Sequence, residues 1–489
     1  MSDNKKSIWS NPFLRTRVKS DNVKVPEMLL GYFIGPFGAL LSSGIFTSIL
    51  QNYFTDVLKM NLTFLTTLQL ISTILIVVAN LVVGQLIERT KTMAGKARPW
   101  ILLSAFTMSV ASVLMFIVPF EGTAKMVWIA IAYNLFYAVA YPIYNTANST
   151  LIPLSTRNSK QRGVLASFTN VAGLGVMGAG SMVFPILVSF VLKENQHLWF
   201  VAMLAIAIFA ALTIFLQFMF TRERVTEELT NAAKEQENGT AHAPSLGRQL
   251  KAVVSEKTWW IVMLFYIGFQ WSGAIKNGSM SYYCKWVLDN SYTGSVDAWG
   301  ASQSLLSIMG AIPMAAAAVV VIPLCNKYGK RIICMLGMLL GAVGGVIAII
   351  GNGNIAPVAI GVALKCLGSA PACYMILALL ADVIDHIEYK SHIRTDGLTM
   401  SIYSSIMVAG TPICNAIFSA LLKGSGYNQN ANVALGVLGQ TQAAQNAISV
   451  SYIWVETIAY VICAVLIFFF TIEKKLPQEQ KEIESRKNA

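Results

Sequence analysis

Twelve stretches of the sequence are apolar over about 20 residues each, the length that a helix needs to cross a hydrocarbon layer of roughly 30 Å. Polar segments rich in lysine and arginine separate these stretches. The pattern therefore predicts an all-α membrane protein with twelve transmembrane helices. The predicted spans are residues 28–51, 62–87, 100–119, 126–155, 164–192, 198–220, 258–283, 300–323, 332–351, 355–381, 398–422 and 449–472.

The composition excludes an ordinary water-soluble enzyme. Apolar residues make up 55% and charged residues only 12% of the 489 residues, against roughly 45–50% and about 25% in soluble domains. The first apolar run is too long for the core of a signal peptide, and no evident cleavage site follows it. We therefore expect the N-terminus to remain attached and to lie in the cytoplasm.

Lysine and arginine collect in alternate loops. The segments that face the cytoplasm when the N-terminus is inside hold 29 of the 36 basic residues, as the positive-inside rule predicts. The opposite loops hold five, and Lys276 and Lys365 fall within spans. The formal net charge of +12 is thus explained by topology in the lipid bilayer of the cytoplasmic membrane. No nucleic-acid partner is predicted.

The longest polar interruption divides the spans six and six. Residues 221–257 predict a cytoplasmic linker between an N-terminal six-helix bundle and a C-terminal one. A glycine and a basic cluster recur after the second and the eighth span, at residues 95–98 and 326–331. This recurrence indicates either a parallel repeat of two bundles, with the substrate site near the midplane, or the general preference of tight inner loops for Gly and Arg. The predicted divisions are a cytoplasmic N-terminal segment (1–27), the two bundles (28–220 and 258–472) and a cytoplasmic tail (473–489).

Aromatic and amide side chains recur in the fourth span at spacings of four, four and three residues, which places them on one helical face. Polar groups at membrane depth usually face a cavity or a partner helix, and rings beside amides suit a sugar with apolar C–H faces and hydroxyls. The alternative is hydrogen bonding between helices, for which Asn is well suited. The predicted substrate-binding residues are Tyr137, Tyr141, Asn145 and Asn148, with Asn80 and Asn170 extending the lining.

Two lysines lie within predicted spans. Lys365 is about ten residues into its span and hence roughly 15 Å deep, so we expect it to contact a charged partner or a ligand. Lys276 is nearer the outer end, where its ammonium group is also able to reach the interface. If both face a cavity, an anionic substrate such as a uronide is favoured.

Charged residues at the inner end of the tenth span predict a cytoplasmic gate made of ion pairs, formed by Asp382, Asp385 and Arg394. A solvated interfacial cluster is the alternative. The predicted interiors of spans one to six contain no Asp or Glu. In the second half, Glu456 is the one acid that lies well inside a span. Proton or sodium coupling usually requires a buried carboxylate or His. No metal site, cofactor or catalytic group is predicted.

Three further segments are distinctive, namely residues 52–57 (NYFTDV), 95–100 (GKARPW) and 381–390 (ADVIDHIEYK) with the following Ile393 and Arg394. They resemble the glycoside–pentoside–hexuronide:cation symporters, the melibiose-carrier branch of the major facilitator superfamily. The resemblance covers essentially the whole chain. It implies a twelve-helix, alternating-access carrier of sugars or glycosides, typically driven by sodium or protons.

The charged residues that the family uses for coupling and sugar binding are replaced here. Loss of the acidic residues alone would leave a buried lysine unpaired. Loss of both the acidic and the basic residues leaves a neutral and self-consistent cavity. The family's carboxylates, lysine and arginine fall on Leu40, Ile76, Asn80, Asn145, Thr169 and Val408.

These observations predict a secondary transporter for a sugar, glycoside or uronide that lacks the usual cation site. Within this class an uncoupled facilitator and a carrier of an amphipathic or lipid-like solute are alternatives, and two amide oxygens are available to coordinate sodium only weakly. From another class, a non-transporting membrane sensor on a transporter scaffold remains open. An enzyme is not expected, because no nucleophile–base pair or phosphate loop stands out at membrane depth.

Overall fold

A computed structural model describes residues 16–90, 92–156, 159–224, 246–293, 298–392 and 395–488. Within these ranges the chain is helical, with a single isolated β-bridge between Thr92 and Gly95. Each of the twelve predicted apolar runs coincides with a helix, although the helix of the run 100–119 already ends at Leu114. The described first half contains α1 (Glu27–Val57), α2 (Leu62–Arg89), α3 (Arg98–Leu114), α4 (Gly122–Asn134, Leu135–Ala140 and Tyr141–Ser155), α5 (Ser159–Leu187 with Val188–Leu192) and α6 (Gln196–Met219).

The described residues of the second half form two short α-helices besides the six expected ones. Residues that the sequence assigned to the linker and the tail form α7 and α14, respectively. The described helices are α7 (Leu246–Val254), α8 (Lys257–Trp286), α9 (Trp299–Tyr328), α10 (Lys330–Ile350), α11 (Ile355–Ser391), α12 (Asp396–Gly424), α13 (Gln442–Phe468) and α14 (Leu476–Asn488).

Eight helices in the described part of the chain are long and apolar enough to cross a membrane, namely α1, α2, α4, α6, α10, α11, α13 and the 402–424 portion of α12. Helix α3 is apolar but shorter. The all-α membrane class is therefore confirmed, whereas the full number of spans and the cytoplasmic location of both termini stay predictions.

Several helices contain π-helical turns, and two of these turns adjoin prolines. The segment Leu135–Ala140 of α4 precedes Pro142, and the segment Glu27–Ile34 of α1 precedes Pro36. Proline has no N–H to donate to the preceding turn and its ring crowds that turn, so the backbone widens there. The widening changes which side chains share a face in α4.

The described contacts divide the chain into two compact units. Unit 1 comprises described residues within 1–50, 70–184 and 191–240, and unit 2 comprises those within 51–69, 185–190 and 241–489. The core of unit 2 is built from apolar faces of α8, α10, α11 and α13. There α10 and α11 pack closely at two glycines: a Cβ atom on Gly337 would clash with the Gly368 carbonyl oxygen, and one on Gly368 would clash with the Gly337 carbonyl oxygen.

Unit 1 contains a glycine turn whose backbone is held by a carboxylate. Gly95 has a φ of +112°, and Glu223 accepts hydrogen bonds of 2.8 Å from each of the backbone N–H groups of Lys96, Ala97 and Arg98 at the start of α3. The Arg98 guanidinium covers the Phe218 ring at 4.7 Å and donates to the Phe218 carbonyl oxygen. The negative carboxylate thus lies at the positive end of a helix.

Unit 2 repeats this arrangement with different residues. Gly329 has a φ of +91°, and Glu473 accepts hydrogen bonds from the backbone N–H groups of Lys330 and Arg331 at the start of α10. Arg331 covers the Phe468 ring at 5.1 Å. In each unit the arginine-covered Phe precedes the Glu by five positions. This correspondence favours the internal repeat over the simpler explanation of similar inner loops.

Candidate substrate-binding site

Of the two tyrosines on the predicted face of α4, Tyr137 lies in the π-helical segment Leu135–Ala140 and Tyr141 begins the α-helical segment that follows. Tyr137 is half-buried and its ring packs on Tyr133 at 4.6 Å and on Phe136 at 5.1 Å. The half-buried Tyr141 stacks on Phe136 at 6.2 Å. Because Tyr137 is in a π-helical turn, the α-helical spacing used to place it applies only from Tyr141 onward. Its place on the same face as the amides stays a prediction.

Asn148 makes a contact between helices. Its side-chain oxygen accepts a hydrogen bond of 2.7 Å from the Gln217 amide of α6, and the Gln217 oxygen accepts one of 3.2 Å from the Tyr144 hydroxyl. All three side chains are buried. For Asn148 the geometry therefore matches the alternative of hydrogen bonding between helices.

The other predicted amides are less constrained. Asn80 is half-buried and donates to the Ile76 carbonyl oxygen of its own helix at 2.8 Å, and Asn145 is half-buried one turn after Tyr141. Asn170 belongs to α5, but its side chain lies outside the described part of the structure. The substrate-binding role of these residues stays a prediction.

Both intramembrane lysines meet the same carboxylate in unit 2. Lys365 Nζ lies 2.8 Å from Glu456 Oε2 and donates to the Ile453 carbonyl oxygen at 3.1 Å. Lys276 Nζ lies 3.3 Å from Glu456 Oε1. The expected partner of Lys365 is therefore Glu456, which the sequence showed as an isolated acid but did not pair. Together these three residues form what we call the α8–α11–α13 triad.

The side chains of the triad differ in solvent exposure. The Lys365 and Glu456 side chains are each 2% exposed, whereas the Lys276 side chain is 14% exposed. The Tyr460 hydroxyl also donates to Glu456 Oε1 at 2.9 Å. Two lysines thus share one carboxylate, so protonation of both leaves one positive charge unbalanced where charge is costly.

A second buried ion pair in unit 2 was not predicted. Helix α1 extends past its predicted end, so that Asp56 lies in its last turn and its carboxylate accepts from Lys285 Nζ at 2.6 Å. Asn52 and Tyr427 also donate to Asp56, and the Thr55 hydroxyl contacts the Tyr282 hydroxyl at 2.6 Å. The sequence assigned Asp56 and Lys285 to outer loops, because a single acid or lysine at a span boundary usually reaches water.

One of the predicted gate residues, Asp382, forms an ion pair with a neighbouring helix. Asp382 is buried and forms an ion pair with Lys330 at the start of α10. Asp385 lies one turn further along α11, and Arg394 lies outside the described residues. The gating role stays a prediction, but the ion pair made by Asp382 belongs wholly to unit 2.

A neighbouring cluster joins α8, α11 and α14. Lys390 Nζ lies 2.9 Å from Glu256 Oε2, and His386 Nδ1 lies 2.8 Å from Glu479 Oε2. Burial raises the pKa of Glu256, but the hydrogen bond and charge of Lys390 and the nearby His386 outweigh it, so this pKa lies below its usual value. The contact between His386 and Glu479 joins the tail helix α14 to α11.

The sequence matches a family model described as MFS/sugar transport protein over residues 31–474. The chain belongs to this family. It is therefore a membrane transporter of the major facilitator superfamily and not an enzyme. The predicted resemblance to the glycoside–pentoside–hexuronide:cation symporters is also confirmed.

Individual relatives cover nearly the whole chain. The isoprimeverose transporter of Lactiplantibacillus pentosus is 27% identical over 93% of this chain and 90% of its own. The glucuronide carrier protein homolog of Escherichia coli (strain K12) is 22% identical over 94% and 95%. The crystal structure of nucleoside transporter NupG superposes with a TM-score of 0.60 at 16% identity, over 92% of this chain and all of that one. The structural likeness shows the fold alone.

Proposed function

We propose that the chain is a secondary transporter that moves a sugar, glycoside or uronide across the cytoplasmic membrane by alternating access. Membership of the sugar transport family carries this proposal. The relatives' names, an isoprimeverose transporter and a glucuronide carrier homolog, support a glycoside or uronide as the solute. Twelve spans with both termini inside are part of the proposal.

The transporter works without the family's usual cation site. Within the described part of unit 1, the buried acids already have structural partners: Glu27 forms a two-pronged ion pair with Arg224, and Glu223 caps α3. Asn80 and Asn145 stand where the resemblance implies carboxylates, and a neutral amide binds sodium weakly and takes no proton at physiological pH. Transport is therefore facilitated diffusion, with sodium or proton coupling absent.

The test is uptake of labelled isoprimeverose and methyl β-D-glucuronide into proteoliposomes. We expect counterflow in preloaded vesicles and no accumulation when a sodium or proton gradient is imposed. Accumulation that collapses when the gradient is removed would overturn the uncoupled mechanism. Binding without flux of any glycoside would instead favour the non-transporting sensor, and flux of only amphipathic solutes would favour the lipid-like alternative.

A further inference from the structure

When both of its lysines are protonated, the α8–α11–α13 triad carries one positive charge more than Glu456 balances. Charges at membrane depth are costly, and those that persist usually pair or contact a ligand. Lys365 is satisfied, because it reaches both Glu456 and the Ile453 carbonyl oxygen and is 2% exposed. Lys276 contacts Glu456 at the longer distance of 3.3 Å and keeps 14% of its side chain exposed.

A hydroxyl beside the triad lacks a partner. The Tyr452 hydroxyl is buried and makes no hydrogen bond to another described residue, and Tyr452 precedes Glu456 by four positions on α13. The Tyr452 ring is fixed by stacking on Tyr283 at 4.5 Å. An unpaired buried hydroxyl costs free energy unless a partner arrives, so this group is available to donate to a ligand.

The backbone next to these groups is also irregular. Residues Val450–Trp454 form a π-helical turn immediately before the α-helical part that carries Glu456. Such turns are frequent at functional sites. Here the turn contains Tyr452 and supplies the Ile453 carbonyl oxygen, which accepts from both Lys365 and the Thr457 hydroxyl.

We propose that Lys276 and Tyr452 bind the anionic group of a singly charged solute, a carboxylate or a sulfonate, and that Glu456 is an internal counter-ion which this group displaces from Lys276. Lys365 remains paired and positions Glu456. This inference rests on the proposed transport of glycosides and names the selectivity of one site. An arriving monoanion neutralises the excess charge of the triad, whereas a neutral glycoside leaves it unbalanced.

The test compares methyl β-D-glucuronide with methyl β-D-glucoside, which differ only in a carboxylate against a hydroxymethyl group. Binding to purified protein and counterflow into proteoliposomes are measured for both. We expect the wild type to prefer the glucuronide by about tenfold or more, and Lys276→Met to reduce this preference to within about threefold. Lys276→Arg should restore most of it, because the positive charge is kept.

Three further variants separate ligand binding from structure. Glu456→Gln removes the competing carboxylate and should raise the preference for the glucuronide further; because it also leaves the buried Lys365 without its charge partner, its melting temperature is measured as well. Tyr452→Phe folds normally, since its hydroxyl has no partner among described residues, and should weaken glucuronide binding about threefold to tenfold. Lys423→Met removes the same charge from an exposed position and should change neither ligand.

The outcomes are distinguishable. Equal binding of both glycosides by the wild type, or an unchanged preference in both Lys276→Met and Tyr452→Phe, would overturn the anion site while leaving glycoside transport in place. Glucuronide binding that depends on Lys276 without any counterflow would support the site and overturn the transport proposal. Failure of both ligands to bind would overturn both proposals.

Discussion

Replacing Glu223 with Gln tests whether one carboxylate holds the glycine turn and the start of α3. Glu223 Oε2 accepts from the Lys96 N–H, and Oε1 accepts from the N–H groups of Ala97 and Arg98, all at 2.8 Å. Glutamine has nearly the same shape but only one acceptor oxygen. Its amino group would face at least one backbone N–H, so one donor loses its partner and the remaining bonds lose the charge.

The expected cost follows from these bonds. A hydrogen bond to a charged acceptor contributes about 1.5–3 kcal/mol and a neutral one about 0.5–1.5 kcal/mol, while a negative charge at a helix N-terminus adds about 0.3–1 kcal/mol. Because the three bonds share one carboxylate, their losses do not add, and we expect a total of about 2–4 kcal/mol. For a unit of this size each kcal/mol lowers the melting temperature by about 2–4 °C, so a decrease of roughly 5–15 °C is expected.

The assay is the apparent melting temperature of the purified protein in detergent at a fixed heating rate, since membrane proteins of this size commonly unfold irreversibly. Glu121→Gln is the matched control. Glu121 lies at the N-terminus of α4, as Glu223 lies at that of α3, but Glu121 is exposed and its side chain makes no capping hydrogen bond. The control should lose only the charge contribution, about 0.3–1 kcal/mol. A Glu223→Gln decrease no larger than that of the control would refute the assigned role of the carboxylate.

Two other variants follow from the ion pairs in unit 2. Asp56→Asn should destabilise the protein by about 3–5 kcal/mol, because it leaves the buried Lys285 charge unpaired. Adding Lys285→Met should recover much of the loss in melting temperature. A double variant whose loss equals the sum of the two single losses would contradict the pairing. The lowered pKa of Glu256 means that its contribution to stability is present above the ordinary pKa of 4.5 and is lost as the pH falls through the lower folded-state value. The melting-temperature difference between wild type and Lys390→Met should therefore be constant above pH 4.5 and shrink as the pH is lowered below it. A difference that does not shrink on acidification would show that Glu256 does not titrate as inferred.

The helices and the family could be predicted from the sequence because both depend on local information. A run of apolar residues is driven into lipid whatever it packs against, so each run located a helix, although α11 continues ten residues past its predicted end at residue 381. The motifs at residues 95–100 and 381–390 are likewise contiguous in the chain. The boundary of α1 was wrong by six residues, since Asp56 and its polar neighbours follow the apolar run but still belong to the helix.

The pairing of charges depended on the tertiary structure. Glu456 is separated from Lys276 by 180 positions and from Lys365 by 91, and no local pattern relates them. The same holds for Glu223 at the turn of α3 and for Lys285 beside Asp56. The sequence by itself determined which segments leave water, because that depends on each segment's own transfer free energy. Which buried charge meets which partner was decided by helix packing alone, because electrostatic contacts act over a few ångströms between residues distant in the chain.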